Sequence, residues 1–154
     1  MKKQIIYFDM DGVLADLGAA IAVHPDKNLP EYENDKDHLP NVFKSPPPIS
    51  GAIEAVKKLH QSDKYELFIA STSPWENPDA LTHKRLWLEK HFGDIFYKKA
   101  VFTHRKDLLI GDFLIDDRTK NGAAEFQGKH IHFGANGNYI DWSSVLKLLL
   151  GYEG

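Results

Sequence analysis

At 154 residues, with 42% hydrophobic and 27% charged residues, the chain has the length and composition of one globular domain rather than of a disordered segment. A formal charge of -3 leaves no basic face for a nucleic-acid polymer, and the absence of cysteine excludes disulfides and thiolate chemistry. The apolar run after Lys2-Lys3 is cut off by Asp9 and Asp11, too short for a signal peptide, and no stretch is long enough to span a bilayer. The expectation is a soluble, cytoplasmic protein with no membrane partner.

Ile5-Ile6-Tyr7-Phe8 is a short, continuous apolar run ending at Asp9-Met10-Asp11-Gly12, the pattern of a buried parallel strand that opens into a functional loop. Residues 24–48 change character. They are rich in Pro, Asp, Asn and Lys, lack periodicity, and end in Ser45-Pro46-Pro47-Pro48. We read about residues 17–48 as a short cap inserted into a single domain, closed by the prolines as a stiff hinge rather than an SH3-type ligand. Ala52, Ile53, Val56 and Leu59 then repeat at helical spacing behind Ser50 as N-cap. Residues 65–70 form a second strand, ending at Ser71-Thr72-Ser73-Pro74. Leu81, Leu88 and Phe92 mark a helix stopped by Gly93. Residues 99–102, 113–115 and 130–133 give three more strands, and 142–150 a final helix with Trp142, Val145, Leu146 and Leu149. Strands alternating with helices predict an α/β domain with a mainly parallel sheet flanked by helices.

In such a sheet, ligands bind beyond the carboxyl ends of the strands. Asp9/Asp11, Thr72/Ser73 and Asp116/Asp117 each follow a predicted strand, so three polar clusters distant in sequence are expected to meet at one edge. Asp9-x-Asp11 also opens like a calcium loop, but the positions that would complete it are Val13 and Ala20. Carboxylates crowded at one edge repel one another unless a cation sits among them, and hard oxygen ligands favour magnesium. No serine stands in a Gly-x-Ser-x-Gly elbow, so Ser71 and Ser73 read as turn residues rather than nucleophiles. His130 and His132 alternate along a strand and share a face, but the eight histidines show no zinc-ligand spacing. Trp87, Trp142 and Leu148-Leu149-Leu150 read as core or helix packing.

Phe8-Asp9-Met10-Asp11-Gly12-Val13-Leu14-Ala15-Asp16 resembles the first signature of the haloacid dehalogenase superfamily. More narrowly, the chain resembles the 5'(3')-deoxyribonucleotidases through Pro48 to Ala52, Ile69 to Pro74, Lys84 to Gly93, Thr103-His104-Arg105-Lys106 and Leu114 to Arg118. The resemblance implies a Rossmann-like core and magnesium-dependent hydrolysis of a small phosphomonoester, with a deoxyribonucleoside 5'- or 3'-monophosphate as the favoured substrate. It implies Asp9 as nucleophile and Asp11 as acid and base. Metal ligands would be Asp9, the Asp11 backbone carbonyl and Asp117, with Asp116 behind them or exchanged with Asp117. Phosphate contacts would come from Thr72, Lys106, Lys84 and Ser73.

The family's helical cap builds much of its base pocket, whereas this chain has only about 25 to 30 residues there, with Tyr32 and Phe43 as its only aromatics. Trp75 and Phe43 are the candidates to line a substrate pocket, Trp75 by stacking on a base. So short a cap is expected to leave the site open, either admitting larger phosphoesters or requiring a homodimer partner to cover it. The alternatives are a phosphatase for another small phosphorylated metabolite, or a non-catalytic phosphate- or nucleotide-binding module.

Overall fold

A computed structural model describes residues 2–151. Its framework is a five-stranded sheet of β1 (Gln4–Phe8), β2 (Tyr65–Ser71), β3 (Ala100–Phe102), β4 (Phe113–Asp116) and β5 (Lys129–His132). The spatial order is β3-β2-β1-β4-β5 and every neighbouring pair is parallel. The chain builds outward from β1 to β3 on one side, then returns to lay β4 and β5 on the other. The order therefore reverses beside β1, which puts a crevice at the carboxyl ends of β1 and β4.

Alternation along β1 assigns its side chains to two cores. Ile6 and Phe8 join Ile69, Ile115 and Ile131 in the larger one. It is built against α2 (Ala52–Gln61), α3 (Asp79–Phe92) and α4 (Trp142–Leu150). Tyr7 faces the other side, where Ala70, Leu114, Ala123 and Phe126 form a smaller core. Three of the four α-helices among the described residues thus feed one core, and the opposite core draws on the loop carrying Ala123 and Phe126.

The helix starts differ in detail from the sequence reading. Gly51, in the left-handed region at φ 82°, caps α2 without a side-chain hydrogen bond, so Ser50 is not its N-cap. The tight turn leaving the triple proline needs that backbone conformation at residue 51, which pushes Ser50 one position too early. In α3 the buried positions are Ala80, Lys84, Trp87, Leu88 and Phe92, whereas Leu81 is 45% exposed. Leu81 lies one residue off the stripe that faces the core. At α4, Asp141 and Ser144 form a reciprocal capping box and Gly151 ends the helix. No helix among the described residues is long and apolar enough to cross a membrane.

Residues 17–48 contain α1 (Leu17–Ala22) and two short turns of 3-10 helix, Pro30–Tyr32 and Lys36–His38. They have a small core of their own, in which Leu39, Val42 and Phe43 pack with Ala80 from α3, flanked by Leu17, Ile21 and Tyr32. The segment leaves and returns side by side: Asp16 N–H donates to Pro47 O and Ile49 N–H to Leu14 O, both at 2.8 Å. Two buried indoles fix the junction, Trp142 Nε1 donating to Val13 O and Trp87 Nε1 to Pro46 O.

Candidate active site

The loop after β1 winds around one carbonyl. Val13, Leu14 and Ala15 all donate their N–H groups to Met10 O, and Gly12 N–H returns to Ala15 O. Gly12 sits at φ +81°, and a Cβ there would lie 2.0 Å from Asp117 Oδ2. Glycine is therefore required twice at this position, for the backbone conformation and for the approach of Asp117. Asp9 N–H bonds to Ile115 O at 2.9 Å, carrying the β1–β4 ladder one rung past the strand. These constraints place Asp9, Asp116 and Asp117 together, each with a carboxylate oxygen within 4.8 Å of the others.

Lys106 closes the group from the side. Its buried ammonium donates to Asp9 Oδ1 at 3.2 Å and to Asp116 Oδ2 at 2.5 Å. Burial alone would pull this lysine down, but the two carboxylates more than offset it and hold the lysine above its usual range. One cation does not balance three carboxylates. Burial, then the charge of Asp116, pushes Asp9 up to about 7 against the opposing pull of Lys106. Asp117 also rises to about 7, by burial first and then by the charge of Asp9 and a hydrogen bond with it. Asp116 is raised by burial too, although Lys106 opposes the shift.

The oxygens of the three carboxylates are not equivalent. Both of Asp116 are engaged, Oδ2 by Lys106 and Oδ1 by the Arg118 N–H at 2.9 Å. Asp117 Oδ1 is buried with no hydrogen-bond partner. A buried, partnerless carboxylate oxygen beside a second carboxylate is the donor set for a hard divalent cation. Asp117 thus keeps an oxygen free for such a cation, whereas both oxygens of Asp116 are taken.

Lys84 is no solvated helix lysine. It is 1% exposed, and its ammonium donates to Asp11 Oδ2 at 2.9 Å, Ser71 Oγ at 2.8 Å and Thr72 O at 2.8 Å. An ammonium has three hydrogens, so this set uses all of them. The Phe43 ring lies 4.8 Å from the same nitrogen, tying the insertion to the lysine that holds Asp11. Ser71, read from the sequence as a turn residue, is in fact the last residue of β2 and a buried acceptor for Lys84. Only its tertiary pairing reveals that role. Ser73 Oγ is buried without a partner, and the Thr72 hydroxyl donates to Thr103 O at 2.9 Å.

Above these residues lies a cavity of about 540 Å³. Asp9, Asp11, Thr72, Lys106 and Asp116 line its foot. Lys84, Ser73 and Asp117 do not form its wall. Leu17, Ile21, Asn34 and Phe43 contribute from residues 17–48, so the short insertion does wall one side. Trp75 stands at the cavity 82% exposed, with its ring 6.5 Å from that of His104. The insertion is tied to this loop by Asn77 Nδ2 donating to Asp37 O, and His38 lies between Asp37 and Glu76 at 3.8 and 3.7 Å. Arg118 also lines the cavity, whereas Arg105 is paired with Asp107 at the surface.

The fold is similar to that of a haloacid dehalogenase-like hydrolase of Streptococcus pneumoniae, with a TM-score of 0.62 over 97% of this chain and 99% of that one, at 12% identity. In sequence, the chain is 43% identical over 147 residues to a protein of Vibrio phage KVP40 that carries the provisional name 5'(3')-deoxyribonucleotidase, covering 96% of this chain and 85% of the relative. It is 27% identical to the human 5'(3')-deoxyribonucleotidase, cytosolic type, over 83% of this chain and 78% of the human one. A family model described as 5' nucleotidase, deoxy (pyrimidine), cytosolic type C protein matches residues 23–142. That match covers Thr72, Asp116 and Asp117 at strand ends, Lys84 within α3 and Lys106 in the 3-10 turn that follows β3, and on it the chain belongs to the cytosolic type C 5'-nucleotidase family.

Proposed function

We propose that the protein hydrolyses deoxyribonucleoside monophosphates through a phosphoryl group carried on Asp9, within a single domain whose residues 17–48 serve as a short cap. The observation that carries this reading is Lys106 bridging Asp9 and Asp116 at the foot of the cavity, beside the partnerless Asp117 oxygen. Asp9, Asp117 and the Asp11 backbone carbonyl would hold Mg²⁺, with Asp116 orienting Lys106. When bound, the ion offsets the repulsion between the nucleophile and a phosphate dianion.

An Asp9 oxygen attacks phosphorus and the bond to the nucleoside oxygen breaks, with the Asp11 carboxyl supplying the proton that the leaving alkoxide needs. Water then attacks phosphorus, Asp11 takes its proton, and the Asp9–phosphorus bond breaks to release phosphate. Lys106 stabilises charge on the transferring group. Thr72 turns its hydroxyl from Thr103 O to a phosphate oxygen, with Ser73 beside it. Lys84 acts mainly by positioning the Asp11 carboxyl, because one of its three hydrogens goes to Asp11 and the other two to Ser71 Oγ and Thr72 O, which leaves none for phosphate.

A panel of phosphorylated metabolites assayed with magnesium tests the reading. Turnover of deoxynucleoside monophosphates that stops on chelation and returns with Mg²⁺ is expected. Full activity in excess chelator contradicts the metal assignment, and preference for a sugar phosphate contradicts the substrate. A cytoplasmic enzyme matches the human relative's printed type, and whether a homodimer covers the cavity mouth is read by sedimentation of the same preparation.

Base selectivity should be weak, because Phe43 is the only Phe, Tyr or Trp that the insertion adds to the cavity wall among the described residues. Purine and pyrimidine substrates are expected to differ in kcat/KM by less than about 100-fold, or about 2.7 kcal/mol. Trp75→Ala should raise KM for nucleotides more than for an aryl phosphate, since a stacking surface is lost while the phosphate site is untouched. Equal change on both substrates would remove Trp75 from the base site.

A further inference from the structure

The parallel ladder between β4 and β5 ends with Asp116 opposite His132, and its last rung is Phe133 N–H to Asp116 O at 3.0 Å. Beyond it the chain turns away, and the main chain of β5 offers Asp117 no further rung. Two side chains continue the ladder instead. His130 Nε2 lies 3.2 Å from Asp116 O, and His132 Nε2 lies 3.1 Å from Asp117 O. A carbonyl only accepts, so each ring must carry its hydrogen on Nε2. The rings stack with centroids 5.4 Å apart and planes 22° apart. Behind them, a Cβ on Gly137 would lie 2.0 Å from His132 O and 3.2 Å from the His132 ring, so the following turn can fold this closely only over glycine.

The two acceptors are the carbonyls of the peptide groups on either side of the Asp117 Cα. Fixing both groups fixes the Asp117 Cα–Cβ direction, and with it the aim of the partnerless carboxylate. We propose that His130 and His132 are positioning residues for the cation site, acting through backbone carbonyls rather than as ligands. The inference rests on the reading of Asp9 and Asp117 as cation ligands.

The test uses Mn²⁺ titrated into substrate-free protein, followed by the electron paramagnetic resonance of the free ion. His132→Leu should weaken Mn²⁺ binding about 10–100-fold, the usual effect of losing a group that orients a ligand. His132→Gln, whose amide nitrogen reaches a similar point and donates, should recover most of that loss. Unchanged affinity in His132→Leu, or equal loss in the Leu and Gln variants, overturns the proposal. Should the leucine variant fail to fold, ¹⁵N spectra of the wild-type imidazoles decide the matter. Both rings must be protonated on Nε2 with or without Mn²⁺, and a hydrogen on Nδ1 alone in either ring overturns the assignment. Failure of the wild-type protein to bind Mn²⁺ would strike the metal reading itself, whereas the variants and the tautomers report on the histidines.

Discussion

Asp9→Asn is expected to abolish the covalent phosphoenzyme and to lower turnover on the order of 10⁶-fold, the scale seen when a nucleophile is removed. The amide has the same shape but cannot attack phosphorus, so rapid quenching with labelled substrate should find no phosphorylated protein. Any acid-stable label retained on the variant would place the nucleophile elsewhere. The same change should not damage the fold. Asp9 is buried and its carboxyl is displaced upward to about 7. A carboxyl raised on folding favours the native state fully at a pH below its ordinary value near 3.8, and that favour is lost as pH rises through about 7. Metal-free wild-type protein should therefore gain thermal stability as pH falls from 7.5 towards about 5, with Asp117 adding to the trend. Asp9→Asn should flatten that slope, because it removes one titrating group and relieves its neighbour.

Asp11→Asn is expected to cost about 10²–10⁴ in rate while leaving metal and phosphate binding in place. Its distinguishing mark is the leaving group. An alkyl phosphate such as a nucleotide departs as a strongly basic alkoxide and needs the proton, whereas an activated aryl phosphate needs it less. The variant should therefore retain far more of its activity on the aryl ester, and equal damage on both substrates would contradict the acid role. Asp11 also holds one of the three hydrogens of Lys84. Lys84→Met should consequently lower kcat on alkyl esters more than it raises KM, whereas a lysine that bound phosphate directly would chiefly raise KM.

The sheet and the convergence of its loops were legible because parallel strands buried on both faces must be written as unbroken apolar runs. Ile5–Phe8, 65–70 and 113–115 each stop at a cluster of carboxylates or hydroxyls, and the strand order makes those stops neighbours. The carboxylates and Lys106 could be placed from that pattern and the family resemblance together. What stayed illegible depends on distances across the sheet. Ser71 looks like any strand-end serine until Lys84, on the next helix, is seen to donate to it. His130 and His132 could be assigned to one face by their alternation, but not what that face touches, because the register with β4 is a tertiary fact. Phe43 was placed in the substrate pocket without any hint that it also covers Lys84. Ser50 yielded its cap to Gly51 because a side-chain preference lost to a backbone constraint imposed by the adjoining prolines.

The paired hydrogen bonds at the neck of residues 17–48 make that segment exchangeable. Its two ends are held together by Asp16, Pro47, Leu14 and Ile49, and are clamped by the indoles of Trp87 on α3 and Trp142 on α4. The entropy of closing a loop on a fixed neck grows only logarithmically, so doubling its length costs about 0.6 kcal/mol. Selection can therefore lengthen, shorten or replace the stretch without disturbing the aspartates beneath it. Substrate range and reaction chemistry are inherited separately in such a molecule, and the first can drift while the second stands still.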